Sequence, residues 1–429
     1  MHDFTNPFLT DEKTRELAST YGTPLYVWDE ATIRRQVTKL RATPSAFGLD
    51  LRFAMKACPN RAIINLITSL GVGIDASSAY EVARAQKAGV PSENISLTAQ
   101  ELPNDLIPLL DAGVWINATS LSQLERLAAA ASKIAPRRRN VGVRVNPGLG
   151  SGHCSRTNVG GPSSSFGIWW EYVEKVLQIA STHDVKITTL HSHIGSGADP
   201  SIWEKCARLT LECAAKMPDV TKVSLGGGMK VARIAGEIEV DLAATGERIA
   251  NEFRRIEVET GRKFTLELEP GAFLMATAGS IISSIIDVVD TGKDGYRFIK
   301  LDTGMTEIVR PSLYGAQHPI AVVTSNSSTN SSAVRGKDKF VAVGHCCESG
   351  DILTPAPGDP DALSTRELTT PEIGDFLVIG STGAYTSGMS TVNYNSFPQA
   401  AEVLLKNDGI SRLVRRRQTL EQVLENEAV

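Results

Sequence analysis

From residue 30 to residue 275, short β-rich apolar runs alternate with longer stretches whose apolar residues recur at three- and four-residue spacing. The short runs predict strands at Leu51–Met55, Val72–Asp75, Ile95–Thr98, Val114–Asn117, Val141–Asn146, Val185–His193, Val223–Leu225 and Phe264–Glu269. Between them, Asn60–Leu70, Ala79–Ala88, Ser120–Ala131 and Trp170–Thr182 have the periodicity of amphipathic helices. Asn60 and Ser78 are placed to cap two of these helices at their starts, and Gly71 and Gly89 to end them. Strands alternating with helices in this number are the count of a (β/α)8 TIM-type barrel. A doubly wound open sheet has similar periodicity, but no G-x-G-x-x-G follows an early strand.

Beyond Met275 the pattern changes. Ser280–Val289, Arg297–Leu301, Phe340–Val343 and Asp375–Gly380 are β-like with few helices between them, which predicts a mostly antiparallel β domain. The early strand Leu25–Trp28 precedes the first barrel helix and is free to join that domain. The expected division is therefore an α/β barrel over 30–275 and a β-sandwich or β-barrel-like domain built from 1–29 plus 276–429. Ser325–Lys339 is polar and low in complexity, as a surface loop would be, and the tail is expected to form a strand followed by a short polar helix.

Composition narrows the function classes. A chain of 429 residues with 42% hydrophobic and 21% charged residues is globular rather than disordered or fibrous. Its 44 basic and 48 acidic residues leave a net charge of −4, so neither nucleic acid nor an anionic membrane is an expected partner. The Arg415–Arg417 run is expected to be solvated or ion-paired. Six cysteines without a CxxC or a Cys/His cluster predict no metal site, and the adjacent Cys346 and Cys347 are poorly suited to a structural disulfide. The N-terminus lacks a basic stretch followed by an apolar core, and Phe273–Val289 is interrupted by Thr277, Ser280, Ser283, Ser284 and Asp287. A cytoplasmic protein is expected.

A barrel carries its chemistry at the carboxyl ends of its strands. The first predicted strand runs into Lys56, whose amine, if desolvated there, would have a lowered pKa and be free for imine chemistry; a surface lysine is the plain alternative. The sixth ends in His191-Ser-His193-Ile-Gly-Ser196-Gly197, where an imidazole could stack on an aromatic cofactor or simply pack. The seventh ends in Gly226-Gly227-Gly228, an anion nest or a tight turn. The eighth carries Glu267 and Glu269 on one face, and two interior carboxylates need partners, either a protonated pyridine nitrogen or a buried cation. An amine, a flat ring, a phosphate nest and a carboxylate together are the contacts that pyridoxal 5'-phosphate requires.

With these residues the chain resembles the fold type III pyridoxal-phosphate decarboxylases, most closely the diaminopimelate decarboxylases. The matching stretches include Phe53–Lys56, Asn146–Gly148, His191–Gly197, Gly226–Gly228, Glu269–Gly271, Arg310–Tyr314, Cys347–Asp351, Gly383–Tyr385 and Asn393–Ser396, in family order across nearly the whole chain. The resemblance implies decarboxylation of meso-diaminopimelate to L-lysine, or of another basic or carboxylated amino acid, with pyridoxal phosphate as cofactor. It also implies Lys56 as the Schiff-base lysine, His193 as the residue stacked on the cofactor ring, Ser196, Gly227, Gly228 and Gly271 as phosphate contacts, and Glu269 as the partner of the ring nitrogen. Cys347 is then the acid that reprotonates the substrate carbon, Glu348, Arg310 and Tyr314 contact the distal end of the substrate, and Tyr385 contacts cofactor or substrate. Cys347, Glu348 and Tyr385 would serve the partner's cofactor in a two-fold homodimer.

The chain departs from the family pattern twice. Ala272 follows Glu269-Pro270-Gly271 where the family has arginine, and Phe397 stands where an arginine follows Asn-Ser. Arg156, in the loop after the fifth strand, is the candidate replacement for the lost charge.

Overall fold

The computed structural model describes residues 6–151, 159–325 and 335–428, and the chain divides into two compact units. One comprises Arg34–Val231 and Ile238–Leu274; the other comprises the N-terminal residues through Ile33, the short stretch Ala232–Glu237, and everything from Met275 onward. That short stretch lies inside the expected barrel segment, yet its contacts are with the β unit. Arg156 lies outside the described residues.

The first unit is a closed parallel barrel. Its strands are Leu49–Ala54, Gly73–Ala76, Ile95–Thr98, Trp115–Ala118, Asn140–Asn146, Lys186–Ser192, Lys222–Ser224 and Thr265–Leu268. Each pairs in parallel with the next, and the last pairs with the first through Leu266 and Leu49, so the barrel leaves no edge. The anticipated caps form. The Asn60 side chain accepts from the Ala62 amide and Ser78 from the Glu81 amide, satisfying N–H groups that the first helical turn leaves without partners. Gly71 and Gly89 follow the last helical residues at φ +72° and +91°, a conformation that glycine enters without a Cβ penalty. The helix anticipated from Trp170 starts as a 3-10 turn, Trp170–Tyr172, and becomes α-helical over Val173–Thr182.

The second unit is a mostly antiparallel sheet in which Leu25–Asp29 is a central strand. It pairs antiparallel with Gly279–Asp290 and parallel with Ala401–Leu405. All five of its residues are buried, as expected of a strand covered on both faces. Leu17, Leu25, Val27, Ile282, Val378 and Val403 form its core. Within it the Trp28 indole N–H donates to Glu402 at 2.9 Å, and Arg415 neutralises Glu402 at 2.8 Å. The arginine-rich tail is thus seated by an ion pair, and Arg417 donates to the Pro24 carbonyl at 2.7 Å. Among the described residues, no helix is long and apolar enough to cross a membrane, and no cluster of His, Cys, Asp or Glu could hold a metal.

Glu307, 1% exposed in this unit, accepts from the Thr306 hydroxyl at 2.7 Å and the Thr303 hydroxyl at 3.1 Å. Burial outweighs these bonds and pushes its carboxyl up to about 7. A carboxyl raised on folding favours the protonated native state, so stability should fall as pH rises from the unfolded value near 4.5 to about 7. The difference corresponds to about 3 kcal/mol. Denaturant titrations of parent and Glu307→Gln across this window should show the loss in the parent and not in the variant. Parallel curves would show that Glu307 is ionised throughout.

Candidate active site

The end of the barrel to which the strands point gathers most of the anticipated residues. The first strand stops at Ala54 and a 3-10 turn, Met55–Ala57, carries Lys56 outward. Lys56 is therefore exposed rather than desolvated, and its ammonium donates to the Ser77 hydroxyl at 3.2 Å. Two acids, Asp75 at the end of the second strand and Glu81 in the helix that follows it, complete its setting. Asp75 is 3% exposed; burial and the nearby Glu269 push its carboxyl well up, while Lys56 acts in the opposite sense. Glu81 is raised by burial against the pull of its hydrogen bond from the Ser77 amide, at 2.7 Å, and of Lys56.

Across the barrel, the two glutamates of the eighth strand differ. Glu267 is paired with Arg52 at 2.8 Å and Lys222 at 3.3 Å, so a buried cation is its partner. Glu269, 5% exposed, accepts from the Ser224 hydroxyl at 2.9 Å and lies 2.9 Å from His191 Nε2. Burial alone would raise its carboxyl, but the His191 and Ser224 contacts win and hold it at about 2. Glu269 is thus an ionised carboxylate in a dry setting. His191, for which the sequence leaves stacking and packing open, is its support.

His193 has the opposite character. Burial, then Arg144 and Lys56, lower its pKa well below the ordinary value, so the ring is neutral, and its buried Nδ1 has no hydrogen-bond partner among the described residues. Backbone space around it is made by glycine. A Cβ on Gly226 would lie 2.8 Å from the His193 ring, and Cβ atoms on Gly227 and Gly228 would collide with the carbonyls of Glu269 and Gly195. The Gly197 amide donates to the Gly228 carbonyl at 2.9 Å, and the Ser196 amide to Ser151 at 3.3 Å, which fixes the loop after the sixth strand against the triglycine turn. Arg144, on the fifth strand, is lowered to about 10 by burial; it lies over the Phe166 ring at 4.9 Å and leaves its Nε buried without a partner among the described residues. Asp75, Glu81 and Arg144 were not anticipated.

The remaining anticipated residues belong to the β unit. Arg310 and Tyr314 are the ends of one short helix, with the guanidinium 5.6 Å from the Tyr314 ring centre. Cys347 and Glu348 are exposed on a turn held from below. Asp351, buried at 3%, accepts from the amides of Met305 at 2.7 Å and Cys346 at 2.9 Å, and the Cys347 amide donates to Asn395 Oδ1 at 2.8 Å. Asn393, Asn395 and Ser396 all have left-handed backbones, which is what turns the Asn395 side chain to that amide. The Glu348 carboxylate accepts from the Gly350 amide at 3.1 Å and from the Tyr394 hydroxyl at 3.3 Å, and these bonds lower its pKa. Phe397 stacks on His345 with ring centres 3.7 Å apart, so the residue replacing the family arginine packs on an imidazole.

Comparison with known proteins decides the family. Residues 30–276 match the pyridoxal-binding domain of the pyridoxal-dependent decarboxylases. The chain is 35% identical to diaminopimelate decarboxylase of Streptomyces coelicolor, over 95% of this chain and 90% of that protein. It is 34% identical to diaminopimelate decarboxylase of Escherichia coli K12, over 98% of this chain and 97% of that protein. A crystal structure of diaminopimelate decarboxylase superposes with a TM-score of 0.89 at 33% identity, covering 100% of this chain and 99% of that one. The chain belongs to the pyridoxal-dependent decarboxylases.

As a member of that family it uses pyridoxal 5'-phosphate, and the barrel residues fit this group. A neutral ring whose Nδ1 has no partner among the described residues, an ionised carboxylate and a triglycine turn whose close backbone approach any side chain would block fit a phosphorylated pyridine. Ala272 and Phe397 supply no cation, and Arg156, the candidate replacement for their charge, lies outside the described residues.

Proposed function

We propose that this decarboxylase removes the carboxylate at the D-centre of meso-diaminopimelate as CO2 and puts a proton in its place, giving L-lysine. The observation that carries the reading is Glu269, held ionised by His191 and Ser224 opposite an amine, a neutral imidazole and a glycine cradle in one barrel. Near-full-length similarity to diaminopimelate decarboxylases supports the substrate.

The residues take the following parts. Lys56 would hold the cofactor at its carbonyl carbon, with Ser77 steering the amine and the Asp75 and Glu81 carboxyls, both raised by burial, in its electrostatic reach. Glu269 would keep a proton at the ring nitrogen, and His193 would lie against the ring without adding charge. The Gly226–Gly228 turn, Ser196 and Gly271 would take the phosphate through backbone and hydroxyl groups. When bound, pyridoxal phosphate supplies an electron sink for the pair left behind as CO2 departs. Cys347 delivers a proton to the carbon that lost its carboxylate, on a turn fixed by Asp351 and Asn395. Arg310, Tyr314, Glu348 and Tyr385 contact the far end of the substrate, where an amino and a carboxylate group remain. Cys347, Glu348 and Tyr385 act at the partner's cofactor in a two-fold homodimer, for which their exposed or half-buried positions leave them available.

The test is CO2 release, with cofactor added, from meso-diaminopimelate, L-lysine, D-lysine, L-ornithine and L-arginine. A substrate that leaves the distal site's charged donors unmet loses about 1.5–3 kcal/mol, so diaminopimelate should lead the others in kcat/KM by about tenfold to a hundredfold. Preference for any other member of the panel overturns the substrate while leaving fold and cofactor in place.

A further inference from the structure

The stretch Ala232–Glu237, which joins the β unit, brings a guanidinium into it that no family motif called for. Arg233 donates to the Ser381 carbonyl at 2.5 Å, and the Ser381 hydroxyl donates back to the Arg233 carbonyl at 2.9 Å. Ser381 has a left-handed backbone, φ +54°, and this double contact fixes both residues. Arg233 has five N–H donors, and apart from that carbonyl none finds a protein acceptor among the described residues. The Arg310 guanidinium makes no hydrogen bond to the described residues, and its Nε is buried. Both residues are half-buried, so their free donors still reach solvent.

Charge is unbalanced in the same place. Burial, then Arg310, lowers Arg233 well below its ordinary value, and burial also lowers Arg310. His318, 4% exposed beside them, is held neutral by burial and by both guanidiniums. Among the described residues, the carboxylate in electrostatic reach of both arginines is Glu237, whose Oε2 accepts from the Arg233 amide at 2.8 Å and forms no ion pair with either guanidinium. Two confined cations facing one carboxylate, with donors left over, form a site that a ligand carboxylate would complete.

We propose that Arg233 is a second substrate-binding guanidinium, which with Arg310 takes the carboxylate at the far end of the substrate and so replaces charge that Ala272 and Phe397 omit. The inference rests on the decarboxylase reading above. It makes Arg233 a specificity residue. A substrate or product carrying the distal carboxylate satisfies both forks, whereas a diamine leaves them unmet.

L-Lysine retains that carboxylate and cadaverine lacks it, so the pair isolates the contact. Calorimetric binding of each to the holoenzyme is compared among parent, Arg233→Met and Arg233→Lys, with the melting temperature and cofactor absorbance of each variant recorded. Arg233→Met should weaken L-lysine by about tenfold or more and leave cadaverine within about threefold; Arg233→Lys should restore part of the loss. For diaminopimelate, KM should rise more than kcat falls. Equal weakening of both ligands would assign Arg233 to holding Ser381 alone, and an L-lysine affinity within about twofold of the parent would overturn the proposal outright. A parent that binds L-lysine through Arg233 but releases no CO2 from diaminopimelate would sink the decarboxylation reading and leave this one standing. A parent that does not bind L-lysine overturns the Arg233 assignment.

Discussion

Replacing Lys56 by alanine should reduce CO2 release by on the order of 10⁴-fold or more while leaving the barrel folded. The size follows from the part proposed for the amine: if it holds the cofactor at one carbon, losing it removes both orientation and the covalent attachment. The small structural cost follows from its position. Lys56 is exposed on the turn Met55–Ala57, while its neighbours Met55 and Ala57 supply the buried side chains there. No cavity opens, and the melting temperature should shift by only a few degrees. Asp75 would lose the cation that opposes its burial, so its carboxyl should move further up. The direct measurement is the visible absorbance of lysine-bound cofactor. The parent should show it and lose it on borohydride treatment, with the added mass on the peptide containing Lys56. The alanine variant should show neither. A variant that keeps the absorbance, or retains activity within tenfold of the parent, would assign the amine to another lysine.

Much of this site was legible because barrel chemistry has an address. Lys56, His193, the triglycine turn and Glu269 all stand where an apolar run ends, and the closed parallel sheet puts those ends together. The same rule, applied evenly, also points to Asp75, which follows Gly73-Ile74 at the end of the second strand. The exposure of Lys56 is not legible because the apolar run continues through Met55, whereas the strand stops at Ala54 and the next turn carries the side chain outward. Partnerships were less visible than positions. His191 and Glu269 are 78 residues apart, and no local pattern tells which of His191 and His193 carries the ion pair. Arg233 lies 148 residues from Ser381 in a stretch with no motif, so their contact comes only from the fold. In the β unit, the strand Asp359–Leu363 begins Asp-Pro-Asp and has no alternation to read; it is defined by its pairing with Pro355–Ala356.

Cys347→Ala should lower kcat by about 10²–10⁴-fold, the range over which a positioned proton donor contributes, without disturbing the cofactor's absorbance. The exposed thiol can be removed at little cost because the turn is held by backbone bonds to Asp351 and Asn395, which alanine preserves. This separates the variant from Lys56→Ala, which loses both signals. The two variants together then test whether Cys347 serves its own chain or its partner. In a homodimer with composite sites, a mixed dimer of Lys56→Ala and Cys347→Ala chains has one site with both defects and one with neither. Random reassortment makes half the dimers mixed, so unfolding, mixing in equal amounts and refolding should restore about a quarter of parental activity. If Cys347 acted within its own chain, every site in the mixture would carry one defect, and nothing would be recovered. Recovery also requires that subunits exchange, which a tagged parent can establish in the same mixture. Full exchange with no recovery would refute the composite site while leaving Cys347 as the proton donor, because the single variant measures that role independently.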